Sequence, residues 1–157
     1  MAMADISKGM CGTYYSKRPA YVASLKKNTG RRNMTNSHGK QVCVDYSHCD
    51  FNEERDGAWM LDLMRYAVNS AQVREVHAHV EEFDGSKSPA GFAAVVLLDE
   101  SHVSAHCYYD KGILAIDAFT CGESDPNIII DIINKRLVSE MENIKVVSKD
   151  EILRFRQ

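Results

Sequence analysis

The sequence predicts an α+β two-layer sandwich, a mostly antiparallel β-sheet with helices on one face. Three observations lead there. Six short segments alternate or run apolar at strand length, two longer segments repeat their apolar residues at helical spacing, and the strands between the helices follow one another through tight turns that suit hairpins and not crossovers.

The first strand is KQVCVDY, residues 40–46, where apolar and polar side chains alternate. Residues 54–72 then carry Trp59, Leu63, Tyr66, Ala67 and Ser70 at helical spacing, with Met60, Leu61, Met64 and Val68 widening the stripe. VREVHAHVEEF alternates again, DGSKSPAG reads as a turn-rich loop, and GFAAVVLLD is an apolar strand. HVSAHCYY and ILAIDAFTC flank a turn at Lys111-Gly112. Asp125-Pro126 opens a second helix over 126–142, with Ile129, Ile130, Ile133, Leu137 and Met141 on one face. NIKVVS supplies a last strand, giving the order β-α-β-β-β-β-α-β.

A chain of 157 residues, 45% hydrophobic and 26% charged, is long enough for one core and short for two, so residues 34–157 are expected to form a single domain. Residues 1–33 stand apart: Lys8, Lys17, Arg18, Lys26, Lys27, Arg31 and Arg32 face the single acid Asp5, which reads as a basic, poorly ordered extension. The net charge of −3 lacks the basic excess of a nucleic-acid binder, so no nucleic-acid partner is expected. No apolar run reaches the roughly twenty residues a bilayer span needs, so no membrane partner is expected either. The odd set Cys11, Cys43, Cys49, Cys107 and Cys121, without a C-x-x-C pair, suggests reduced thiols and a cytoplasmic location. His77 and His79 share a strand face but lack a convergent third ligand, so no metal site is expected.

The chemistry concentrates in ESHVSAHCYYDKGILAIDAFTCG, residues 100–122. Ser101 is not set in the G-x-S-x-G turn of a hydrolase. Alternation puts His102, Ser104 and His106 on one face of their strand, and Asp117, Phe119 and Cys121 on one face of the next. If His106 and Cys121 face the same side, one polar pocket holds both, with Ser101 at its edge.

This stretch resembles the prokaryotic S-adenosylmethionine decarboxylases, a pyruvoyl-dependent family. The likeness rests on Glu100, Ser101, His102, Ser104 and His106, on Asp117, Phe119, Thr120, Cys121 and Gly122, and upstream on Gly39, Asp45, Cys49 and Asp50. It implies a self-processing decarboxylase of polyamine biosynthesis, cut between Glu100 and Ser101. By the same likeness Ser101 Oγ attacks the Glu100 carbonyl, the peptide becomes an ester, and elimination leaves a pyruvoyl cofactor at residue 101. The attack is uphill at a relaxed peptide bond, so strain and oxyanion donors are expected there. His106 would act as the elimination base, because an imidazole titrates near neutrality. Cys121 would return a proton to the substrate, and the active form would be a homodimer of processed protomers.

The departures from the family pattern fall in the substrate pocket. Where the family has His-Thr-Trp-Pro-Glu, its Glu gripping ribose, this chain has His106, Cys107, Tyr108, Tyr109 and Asp110. Where the family has a processing serine, this chain has Ala93, and the adenine-stacking aromatic is met by Phe83 only through an insertion in the following loop. Asp110, Tyr108, Tyr109 and Phe83 are therefore the candidate substrate-binding residues. S-adenosylmethionine is the family substrate; arginine or ornithine, held by Asp110, is the alternative if the pocket has been remade. A third expectation is an unprocessed regulatory paralogue, to which Ala93 points and against which Ser101, His106 and Cys121 stand.

Overall fold

The computed structural model describes residues 37–156, so the expectation for residues 1–33 lies outside the described residues. The elements run β1 (Ser37–Ser47), α1 (Gly57–Ser70), β2 (Glu75–Phe83), β3 (Gly91–Leu98), β4 (Ser101–Tyr108), a single 3-10 turn at Tyr109–Lys111, β5 (Ile113–Cys121), α2 (Pro126–Glu140) and β6 (Lys145–Arg156). All six strands form one sheet in the order β2-β3-β4-β5-β1-β6, and every neighbouring pair is antiparallel. The predicted α+β sandwich is the observed one.

Both helices pack on a single face of that sheet. Val42, Val44 and Tyr46 of β1, Val103, Ala105 and Cys107 of β4, and Leu114, Ile116 and Ala118 of β5 point to the helices and are buried. They meet Met60, Leu63, Met64, Ala67 and Val68 from α1 and Ile129, Ile130, Ile133 and Leu137 from α2. Each fully buried aliphatic side chain contributes about 1.5–3 kcal/mol, so this one layer supplies most of the driving force for folding. Trp59 lies at its margin, and Tyr66, expected on the apolar stripe, is 65% exposed and lines an open groove between α1 and α2 with Leu63 and Ile132.

The alternate side chains form an open face that no helix covers. Across it run cross-strand rows fixed by the pairing: Ile152, Gln41, Phe119, His102 and Leu97; then Asp150, Cys43, Asp117, Ser104 and Val95; then Ser148, Asp45, Ala115, His106 and Ala93. The last strand is twice the length read from NIKVVS. Its second half, KDEILRFR, is too charged to read as core, but β6 is an edge strand, where charged side chains are tolerated and discourage unwanted pairing.

The helix starts are capped as their sequences suggest. The Asp56 carboxylate accepts from Trp59 N–H at 2.8 Å, and Asp125 accepts from Asn127 N–H at 3.1 Å ahead of Pro126. Among the described residues no helix is long and apolar enough to cross a membrane, and no group of three His, Cys, Asp or Glu residues is placed to hold a metal ion.

Asp125 is held below the usual carboxylate range. Partial burial opposes this, but the Asn127 hydrogen bonds and the Lys40 ammonium outweigh it. A depressed carboxyl stabilises the fold above its ordinary value and loses that contribution as pH falls through the folded one. Asp125→Ala should therefore cost about 1 kcal/mol at neutral pH, and the gap to wild type in urea unfolding should close as the pH falls below the usual carboxylate range.

Candidate active site

Ser101 opens β4 directly after a two-residue hairpin turn, Asp99-Glu100, with Leu98 and Ser101 paired across it. Glu100 takes φ +64°, the left-handed region that glycine and asparagine tolerate and glutamate disfavours by about 1–2 kcal/mol. The scissile position expected from the sequence to be strained is thus a left-handed non-glycine residue in the tightest kind of β connection.

β5 ends beside this turn. The backbone N–H of Cys121 donates to Ser101 Oγ at 3.0 Å, and the Cys121 thiol donates to the Glu100 carbonyl oxygen at 3.2 Å. One residue therefore holds both the hydroxyl and the carbonyl that would react with it. The rest of the β5 end is fixed in turn: Gly122 N–H donates to the His38 carbonyl at 3.1 Å, and the Thr120 hydroxyl donates to the Ser124 carbonyl at 2.7 Å.

Opposite Cys121 on β1 is Gly39, where a Cβ would stand 2.8 Å from Phe119 Cε2. Only a residue without a side chain lets the Phe119 ring lie over β1 at this point. His102 packs on Phe119 with ring centroids 5.7 Å apart, Phe155 packs on it at 5.9 Å, and the Arg154 guanidinium sits 5.4 Å above its ring. Arg154 also donates to Gln41, and Gln41 donates to Asp117. Burial, reinforced by Asp117, pushes the neighbouring Cys43 thiol up to about 11, so it stays protonated.

His106 does not join this group. It shares the open face with Cys121, as alternation required, but is paired with Ala93 and Ala115, five residues along the strand from Ser101. At strand spacing that is about 16 Å, so one pocket in one chain does not hold both His106 and Cys121. The earlier expectation is corrected on this point: alternation specifies a face, and register specifies the position along it.

The substrate-pocket candidates gather at the His106 end. Phe83 faces Gly91 and Gly91 faces Tyr108, so the two rings flank a bare backbone position on the open face. Lys111 Nζ stands 5.5 Å from the Tyr108 ring centroid, and Asp110 is exposed on the 3-10 turn. Tyr109 points the other way. Its ring packs with Phe51 and Phe92 on the helix side, and its hydroxyl donates to Glu82 Oε2 at 2.7 Å. Burial and that carboxylate raise the Tyr109 hydroxyl well above the usual tyrosine range. Glu82, which sequence reasoning missed, also accepts from the first N–H of α1 at Gly57, at 2.5 Å, and so ties the helix start to the β4 terminus. In the sequence it is one of two adjacent glutamates on a strand, which reads as a solvated edge.

The family profile of S-adenosylmethionine decarboxylase matches residues 40–150. The chain belongs to the S-adenosylmethionine decarboxylase family. An S-adenosylmethionine decarboxylase proenzyme of Bacillus velezensis is 32% identical over 111 residues, 69% of this chain and 83% of that protein. One from Brevibacillus brevis is 34% identical over 112 residues, 71% of this chain and 78% of that protein. In the solved structures, the adenosylmethionine decarboxylase of Aquifex aeolicus shares the fold, with a TM-score of 0.61 and 24% identity over 76% of this chain and 92% of that one.

If the left-handed turn stores strain at that bond, glycine should relieve it. In a Ser101→Ala background, which removes the nucleophile, Glu100→Gly is expected to raise stability by about 1 kcal/mol, read from the urea midpoint at constant slope. With Ser101 present, Glu100→Gly should slow any self-cleavage.

Proposed function

We propose that this chain is a self-processing, pyruvoyl-dependent decarboxylase acting on S-adenosylmethionine, in polyamine biosynthesis. The observation that carries the reading is the double hold of Cys121 on Ser101 Oγ and on the Glu100 carbonyl, across a turn whose central residue is left-handed.

Processing follows from those contacts. Ser101 Oγ attacks the Glu100 carbonyl carbon; the C–O bond forms, the C–N bond breaks, and the hydroxyl proton moves to the released nitrogen. The Cys121 thiol faces the oxygen on which negative charge develops and stabilises it as an oxyanion donor. A base then removes the proton on Cα of residue 101, and the Cβ–O bond breaks with release of the Glu100 carboxylate. Water replaces the nitrogen, which leaves as ammonia, and a keto group remains. The pyruvoyl group so made supplies the electron sink that amino-acid decarboxylation requires. Cys121, beside it, hands a proton to the substrate carbon that has lost carbon dioxide.

In this reading the base is His106 from a second copy, which the five-residue separation of His106 from Ser101 along β4 supports. Cys121, with Ser101 beside it at the start of β4, lies at one end of the sheet, whereas His106, Tyr108 and Phe83 on the open face, with Asp110 in the following turn, lie toward the other. Two copies stacked by their open faces about a twofold axis, at the spacing of about 10 Å usual for packed sheets, bring the His106 end of each onto the Ser101 end of its partner. The homodimer thereby completes two sites, each with a reacting end from one chain and a binding end from the other. Asp110 serves the ribose hydroxyls, and Phe83 with Tyr108 serves the base. Tyr109 acts behind them, through Glu82, as a positioning residue.

Intact mass should show fragments of 100 and 57 residues, the second beginning with pyruvoyl at position 101. A chain that stays whole through long incubation would instead favour the regulatory reading. Complementation tests the shared site: Ser101→Ala and His106→Ala chains should each remain uncut alone, while co-expression should let the His106→Ala chain be cut by its partner's histidine. Cleavage of the His106→Ala chain by itself would remove His106 as the base.

The substrate is tested by release of carbon dioxide from S-adenosylmethionine, arginine and ornithine side by side. S-adenosylmethionine should lead in kcat/KM, and Asp110→Asn should lower its kcat/KM by roughly tenfold through lost hydrogen bonds. A lead for arginine or ornithine would reassign Asp110 to a cationic side chain.

A further inference from the structure

We infer that Glu81 of β2 is a positioning residue for His106, its carboxylate reaching over Ala93 to hold the imidazole that draws the proton from Cα of residue 101 in a second copy. This rests on the self-processing reading above, in which His106 is the elimination base; the row that joins the two residues is read from the sheet.

Glu81 pairs with Ala93 across β2 and β3, and Ala93 pairs with His106 across β3 and β4, so the three side chains stand in one row of the open face. Two strand spacings, about 10 Å, separate the Cα atoms of Glu81 and His106, and between them the row holds only the Ala93 methyl group. At bond lengths of about 1.5 Å, the bonds from Cα carry a glutamate oxygen about 5 Å outward, and an imidazole nitrogen reaches nearly as far. The two can therefore meet over the methyl. On its other side His106 has Ala115. Methyl groups offer an imidazole no hydrogen bond, so the groups in the row able to fix the ring stand one strand farther out, at Glu81 on one side and at Asp45 on the other.

Asp45 is turned away from His106. It is one methylene shorter than a glutamate, and its carboxylate accepts from the Ser148 hydroxyl at 3.0 Å, toward β6. Asp117, diagonal to His106 on β5, is likewise drawn toward β1, where Gln41 and the Cys43 thiol donate to it, and Asp150 stands beyond Cys43 on β6. Glu82 faces the helices, accepting from Gly57 and Tyr109. Glu81 lies on an edge strand, so the sheet extends from it in the direction of His106 only. Its Oε2 stands 3.5 Å from His79 Nε2, two residues along the same strand. That is an ion-pair distance longer than a good hydrogen bond, and a carboxylate has a second oxygen to offer.

An imidazole that gives its N–H to Glu81 keeps its other nitrogen unprotonated, which is the form a base needs. In the elimination the proton on Cα of residue 101 goes to that nitrogen, the C–H electron pair forms the Cα–Cβ double bond, and the Cβ–O bond breaks with release of the Glu100 carboxylate. The ring becomes a cation at this step, and a carboxylate beside it stabilises the charge.

The base and the bond it acts on lie in different copies, so co-expression of full-length chains isolates the role of Glu81. One chain carries Ser101→Ala and gives the histidine; the other carries His106→Ala and is cut into fragments of 100 and 57 residues. Glu81→Ala or Glu81→Gln in the histidine-giving chain should slow the appearance of those fragments on the order of tenfold or more. The same change in the cut chain should leave the rate within about twofold, since there Glu81 faces no imidazole at position 106. Glutamine keeps the side-chain size should alanine disturb the edge strand. Equal slowing from either chain would mark Glu81 as a packing residue of the sheet and overturn the inference, as would slowing from the cut chain alone or from neither. Pairs that yield fragments at a rate indifferent to Glu81 defeat the Glu81 assignment alone; pairs with Glu81 intact that yield no fragments defeat the self-processing reading and this inference with it.

Discussion

The hold of Cys121 on the Asp99-Glu100 turn is the contact on which the site depends. A two-residue hairpin with a left-handed glutamate has no local reason to persist, because glycine or asparagine would fill the position with less strain. It persists because β5 runs alongside β4 in unbroken register from Ile113 to Phe119 and delivers Cys121 to the turn. There the backbone N–H takes the Ser101 hydroxyl and the thiol takes the Glu100 carbonyl. Shift β5 by one residue and the thiol faces the core, the carbonyl loses its donor, and the turn can relax. The sheet's register is thus also the register of the chemistry.

The second constraint is the one-sided sheet. The helices cover one face with aliphatic side chains, and the other face keeps polar rows interspersed with Leu97, Tyr108, Ile113, Ile152 and Phe155, each more than a third exposed. A face of this composition is neither a core nor an ordinary solvent surface. Its two functional ends are separated by the length of β4, too far for His106 to act on its own chain's serine. The proposed twofold stack of open faces would answer both facts, since it would cover the apolar residues and join the separated ends. Small residues, Ala93 and Ala115, flank His106, and in that proposed contact they would leave its ring clear on both sides for a group approaching from above the sheet.

Much of this was legible in the sequence, and the limits follow from what periodicity encodes. Alternation in HVSAHCYY and ILAIDAFTC located the face of every site residue on those strands, and the apolar stripe of Ile129, Ile130, Ile133 and Leu137 located α2 against the core. The resemblance carried by Ser101, His106 and Cys121 led to the family that the matched residues establish. Distance along a strand was not legible in the same way, because a period of two is indifferent to translation; alternation alone therefore allows His106 and Cys121 one pocket that register denies them. Tyr108 and Tyr109 are equivalent in composition but belong to opposite faces. Arg154, Phe155 and Gln41 gave no signal at all, because a charged edge strand resembles a solvated tail until its partner, β1, is known.

Strain also bears on the choice between an enzyme and an unprocessed regulatory subunit. Ala93 lacks the hydroxyl of the family pattern, and taken alone it suits a chain that no longer cuts itself. Glu100 argues the opposite. A left-handed glutamate disfavoured by about 1–2 kcal/mol is a standing loss of stability, and stability losses of that size are readily repaired by a single change to glycine at an exposed turn. A subunit that never used the Glu100-Ser101 bond would have no physical use for the strain, for the thiol aimed at its carbonyl, or for a glycine at position 39 that makes room for Phe119. These three features converge on one peptide bond, while Ala93 sits beside His106 in a different row of the sheet. These features favour the proposed self-cleavage over the regulatory reading, and in it the missing hydroxyl would bear on the speed of the step and not on whether the bond is prepared for it.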